Sequence, residues 1–148
     1  MNPFLFALLI AAVAGITMAI QGSLNAVLGR VVGLLEATLI IHVVGTIVAL
    51  TALLTIRFGS GGLSLFKEAP WFTYLGGALG VLIVIGVAFS LPRAGVANAT
   101  TAIIIGQVAT AMLIDQLGFF GLEKIPITWW NAFGLALLAG GGYCMLCR

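Results

Sequence analysis

The chain has 148 residues, 62% hydrophobic and 7% charged, with a net charge of +2. A soluble domain draws about a quarter of its residues from Asp, Glu, Lys and Arg to cover its surface; six Lys/Arg and four Asp/Glu cannot do so, and lipid must be the solvent for most of the chain. The basic residues are scattered rather than gathered in a patch with interleaved aromatics, which argues against nucleic acid as a partner.

A membrane-spanning helix needs about 20 apolar residues rising about 1.5 Å each. The first such run covers residues 3–29 and stops at Arg30. It has no basic leader and far exceeds the ~7–15 apolar residues of a signal peptide, so it reads as a retained helix. A second run, 34–56, stops at Arg57, and Gly59–Ser60–Gly61–Gly62 forms a loop closed by Lys67, Glu68 and Pro70. The third run, 71–91, is ended by Pro92 and Arg93; the fourth covers 94–118. A short loop with Glu123 and Lys124 leads to the fifth, 126–147, which Arg148 follows. Trp71, Trp129 and Trp130 fall at span ends, where indoles favour the headgroup region. The fold class is therefore all-α, an integral membrane bundle of five transmembrane helices in a single domain.

Five spans place the termini on opposite sides. The N-terminal side carries Arg57, Lys67 and Lys124; the other carries Arg30, Arg93 and Arg148. Orientation follows the excess of Lys/Arg in cytoplasmic loops, and here there is none. The expectation is dual topology, with copies inserting both ways and pairing antiparallel, as in the inverted repeats many transporters use for alternating access. A weak bias resolved by other signals is the competing reading.

Polar groups inside lipid are costly and need a reason. Gln21 and Asn25 share a face of the first helix, and Asn98 opens the fourth. Gln107 lies near the middle of the fourth helix, on a face with Thr100, Ile103 and Thr110. These carboxamides either bond helices together or line a substrate cavity. In the second helix Thr38, His42, Gly45, Thr46 and Ala49 make a weakly polar stripe; His42 is either a proton carrier or a neutral ring bonded to a nearby carbonyl. Glu36 and Asp115 lie near helix ends, and Asp115 reads as an interfacial cap or a coupling site. Gly15, Gly22 and Gly29 fall at sevens in the first helix, Gly76, Gly77 and Gly80 lie in the third, and Gly134, Gly140 and Gly141 in the fifth, as close-packing positions. Cys144 and Cys147 form a CxxC without a nearby His, read as small apolar residues at a helix end. No catalytic triad, metal cluster or phosphate loop is present, so neither an enzyme nor a bound cofactor or metal is expected.

The stretch AGITMAIQGSLNAVLGR, 14–30, resembles the first helix of the YdcZ-like family of the drug/metabolite transporter superfamily. So does GQVATAMLIDQLGFFG, 106–121. The shared elements are Gln21–Gly22, Asn25–Ala26 and Leu28–Gly29 in the first helix, and Gly106–Gln107 with Ile114–Asp115–Gln116–Leu117–Gly118 in the fourth. The resemblance covers essentially the whole chain. It implies an antiparallel two-domain assembly in the bacterial inner membrane and an exporter whose substrate is undefined. The related four-helix multidrug proteins use a glutamate in their first helix; this first helix has no acid, so their proton-for-cation exchange does not carry over.

The expected function is thus a small-molecule exporter, an antiparallel homodimer working by alternating access. Gln21, Asn25 and Gln107 are its first candidate cavity residues, with Asn98 and His42 second; Asp115, Glu36 or His42 would carry a coupled proton. A dual-topology ion channel and a non-transporting structural subunit are the alternatives.

Overall fold

The computed structural model describes residues 2–56 and 62–147. Arg57, the Gly59–Ser60–Gly61 part of the expected loop, and Arg148 lie outside the described residues. Five α-helices follow in order: α1 Pro3–Val32, α2 Leu34–Ile56, α3 Leu75–Ala94, α4 Val96–Leu117 and α5 Trp129–Leu146. Short 3-10 turns at Leu63–Glu68 and Trp71–Tyr74 precede α3, and a third, Phe119–Gly121, follows α4; no strand occurs among the described residues.

Charge marks the helix ends less sharply than backbone geometry does. Arg30 and Arg93 do not stop their helices but sit in the last turns of α1 and α3. Arginine is a good helix former, and its cation suits the negative end of the helix dipole. Pro92 lies inside α3 as well, in that last turn. The true stops are single glycines. Gly33 alone joins α1 to α2 with φ 100° and ψ 156°, and Gly95 alone joins α3 to α4 with φ 84° and ψ 152°. Both conformations belong to a region essentially closed to residues with a Cβ. At Gly33 a Cβ would also collide with the Glu36 carboxylate, which folds back over the turn. Gly33→Ala is expected to destabilise the purified protein by about 1–3 kcal/mol, seen as a lower melting temperature in detergent; an unchanged value would mean the turn relaxes without strain.

Four of the helices, α1 to α4, are long and apolar enough to cross a membrane. The fifth departs from the expectation of five equivalent spans. It begins at Trp129, not at Pro126, and has 18 residues. Trp129, Trp130 and Asn131 at its start and four glycines dilute its apolar character. Its start is fixed by chemistry that the apolar run conceals: the Thr128 hydroxyl accepts from Asn131 N, while the Asn131 side chain accepts from Thr128 N at 2.9 Å, a reciprocal cap.

The chain divides into two compact units, residues 1–92 and 93–148. In the first, α1 packs through Gly22, Asn25, Ala26 and Gly29, spaced to share one helix face. A Cβ on Gly22 would stand 3.0 Å from Val87, and one on Gly29 would meet Leu34, Ala88 and Ala37. In the second unit, α5 lies on α4 at Gly142, where a Cβ would come within 2.5 Å of Ile105 and 3.1 Å of Thr101. The close approaches thus fall on Gly22, Gly29 and Gly142, a Cβ on Gly80 would make only ordinary contact with His42, and Gly15, Gly76, Gly77, Gly134, Gly140 and Gly141 have open space around them. Spacing alone finds small-residue faces but not the partner, which is why Gly142 escaped the sequence reading.

Burial is sparse. The buried apolar residues are Ala26, Ala37, Ala88, Leu91 and Ala99, and no large side chain among the described residues is fully enclosed. Most Leu, Ile, Val and Phe side chains face outward, as lipid or another protein surface requires.

Candidate functional site

The polar side chains of the helices fall into two groups. Most hydroxyls satisfy themselves: Thr17, Ser23, Thr38, Thr46, Thr51, Thr55, Ser90 and Thr101 each donate to the carbonyl four residues earlier, at 2.7–2.9 Å, whereas Thr100 and Thr110 on the Gln107 face of α4 do not. The short hydroxyl arm reaches back along its own helix. Carboxamides divide by position. Asn2, Gln116 and Asn131, at helix ends, each accept from a backbone N–H. Gln21, Asn25, Asn98 and Gln107, within helices, make no side-chain hydrogen bond among the described residues. These four are the carboxamides the sequence analysis singled out.

In the first unit, Asn25 is 8% exposed on the packed face of α1, while Gln21, one turn earlier, is exposed. The two therefore sit at the centre and the rim of one face. Among the described residues no enclosed side-chain nitrogen or oxygen lacks a hydrogen bond, so the Asn25 amide keeps an opening on that face. Thr38, 4% exposed, spends its hydroxyl on the Leu34 carbonyl at 2.7 Å. His42 is half-buried, and its Nδ1 lies 2.8 Å from the Thr38 carbonyl oxygen, the carbonyl-bonded arrangement weighed for it from sequence. Glu36 is exposed in the first turn of α2, where an anion suits the helix dipole.

In the second unit, Asn98 is half-buried in the first turn of α4 and Gln107 is exposed farther along. At 100° per residue Gln107 is about 200° round from Ile105, so it points away from the face that holds α5. A groove of 370 Å³ runs between α4 and α5, lined by Thr101, Leu138, Gly141, Gly142 and Met145 among others; it is apolar and includes none of the candidate carboxamides. Asp115 is half-buried near the end of α4 and acts through its backbone: its carbonyl accepts from Ile125 N at 2.9 Å. Gln116, which the sequence reading passed over, accepts from Ile127 N at 2.6 Å. Together they fold the 118–128 connection back onto α4. A polar pair beside a helix-ending glycine, Gly118 at φ 65°, was the signal available for it.

Residues 6–144 match a family model described as "Putative inner membrane exporter, YdcZ". The chain belongs to the YdcZ family. It is accordingly a multi-pass inner membrane protein of an exporter family, which points to transport rather than catalysis. No curated protein and no solved structure gives a significant match. In this YdcZ chain the two elements that carried the resemblance have distinct structural parts. The first supplies the packed face of Gly22, Asn25, Ala26 and Gly29. The second ends α4 and ties down the following loop through Asp115, Gln116 and Gly118.

Proposed function

We propose that the protein is a small-molecule exporter that works by alternating access as an antiparallel, dual-topology homodimer. The observation that carries this reading is the set of four carboxamides that make no side-chain hydrogen bond among the described residues: Gln21, Asn25, Asn98 and Gln107. In hydrocarbon such groups must be satisfied by protein or by water. A second copy and a hydrated substrate cavity supply what one copy does not. Equal division of Lys/Arg supports insertion in both orientations. Five crossings remain the reading for the spans, because the 18 residues of α5 fall within the ~17–25 that suffice. The cavity would offer carboxamides as hydrogen-bond donors and acceptors to a polar or amphipathic substrate.

Water access separates a cavity from interhelical bonding. Thiols react as thiolates, which form where water reaches them. In a chain with Cys144→Ser and Cys147→Ser, Gln21→Cys and Gln107→Cys are expected to react with a small cationic methanethiosulfonate about tenfold faster than Val44→Cys, whose position is exposed on α2. Equally slow reaction at all three positions would leave the carboxamides as links between helices and remove the cavity.

A further inference from the structure

His42 lies about 12 Å along the axis from the start of α2, near the middle of a hydrocarbon layer about 30 Å thick. The ring is held by Nδ1, 2.8 Å from the Thr38 carbonyl oxygen. A carbonyl oxygen only accepts, so Nδ1 carries a hydrogen, and in the neutral ring Nε2 keeps its lone pair. Nε2 has no hydrogen-bond partner among the described residues. The neighbouring hydroxyls do not compete for it, since Thr38 donates to Leu34 O and Thr46 to His42 O. Across from Nε2 stands Gly80 of α3, where even a Cβ would already be in contact at 3.5 Å. A longer side chain there would cover the nitrogen, and glycine leaves it open.

The ionisable groups of this unit otherwise sit at helix ends. On α2, Glu36 is in the first turn; on α1, Arg30 is in the last turn; on α3, Arg93 is in the last turn and no ionisable side chain precedes it in the helix. No ion pair forms on the imidazole among the described residues. A group that stays at one aqueous face, as Glu36 does in the first turn of α2, cannot carry a proton across the barrier. His42 occupies the depth at which a site can face one side and then the other.

We propose that His42 is the proton-binding site that couples export to the proton gradient, with Nε2 as the atom that takes up and releases the proton. This rests on the exporter reading above. A proton from one aqueous side adds to the Nε2 lone pair and gives the imidazolium. The Nδ1–H bond to the Thr38 carbonyl persists and becomes charge-assisted. Loss of the same proton from Nε2 to the other side restores the neutral ring. One proton moves per protomer in each cycle and no other reactant is consumed.

Two measurements test it. In the native chain, labelled with 15N at histidine and held in lipid nanodiscs, the Nε2 signal should pass from that of an unprotonated to that of a protonated nitrogen as the sample is taken from about pH 8 to about pH 5, while Nδ1 keeps the signature of a protonated nitrogen. An Nε2 signal constant over that range would overturn the proposal without needing a variant. The second measurement compares the Gln107→Cys labelling rate in chains with His42 and with His42→Asn, whose amide nitrogen replaces Nδ1 as donor to Thr38. The thiol's own titration cancels in the ratio of the two rates. That ratio should change about threefold or more across the same pH range as protonation shifts the accessible state. A flat ratio alongside a titrating Nε2 would make His42 a titrating but uncoupled residue and would also overturn the proposal. Neither failure touches the exporter reading, which stands or falls on the faster labelling of Gln21→Cys and Gln107→Cys.

Discussion

Adding two lysines to one side of the protein is expected to collapse a mixed population into a single orientation. Ser64 and Leu122 are exposed in connections that the five-span reading puts on the N-terminal side, and Val31 and Val96 are exposed at helix ends that it puts on the other. The pair Ser64→Lys with Leu122→Lys shifts the Lys/Arg tally from three against three to five against three; Val31→Lys with Val96→Lys shifts it equally the other way. Since the side richer in Lys/Arg stays cytoplasmic, each pair should place about nine in ten copies in one orientation, the two pairs opposite to each other. Fusions of the C-terminus to a phosphatase and to a fluorescent protein, each active in a different compartment, read this out. Each variant alone should then fail to form the antiparallel dimer. Co-expression of the two, carrying different affinity tags, should recover it as a mixed dimer. A dimer that persists in a fixed-orientation variant would show that the working pair is parallel.

The second large effect falls on Asn25. An Asn25→Leu exchange keeps the branched outline of the side chain, in a somewhat larger volume, and removes an amide that is 8% exposed with no partner among the described residues. Its polar atoms are not fully enclosed, so replacing them with methyl groups relieves only part of a desolvation cost, and the melting temperature of the purified protein should hold or rise slightly. The same change should abolish any substrate-dependent rise in that temperature, because the hydrogen-bonding group proposed to meet the substrate is gone. Undiminished stability with lost function is the behaviour of a residue kept for activity. A melting temperature that falls would instead show the amide bonding a helix of the second copy, and would move Asn25 from the cavity to the interface.

The sequence made the helices legible because lipid leaves few options: long apolar runs become helices, and charges lie near their ends. It misplaced the ends themselves. Arg30, Pro92 and Arg93 end the apolar runs, but the turns are made two to three residues later by Gly33 and Gly95, and only backbone dihedrals reveal that. The start of α5 was missed for a related reason, since Pro126 draws the eye while Thr128 and Asn131 do the capping. Helical glycines appear as faces in a sequence, yet whether Gly141 or Gly142 meets α4 depends on the rotation of α5 about its axis. At the candidate site, cost was legible and satisfaction was not. Gln21, Asn25, Asn98 and Gln107 stood out because amides are expensive in hydrocarbon. That Gln116 and Asn131 find backbone partners whereas those four do not depends on the paths of the connections, which residue spacing does not encode.

The pairing of inverted copies is the claim on which the rest of the account depends, and the chain's own C-terminal cysteine tests it. Cys147 caps the end of α5 and is exposed. In a chain whose other cysteine is replaced by Cys144→Ser, a membrane-impermeant maleimide applied to intact spheroplasts should label about half of the Cys147 population, and the remainder only after permeabilisation, since neither orientation has an excess of positive charge. Labelling of all copies, or of none, before permeabilisation would mean a single orientation and would contradict the inverted pair.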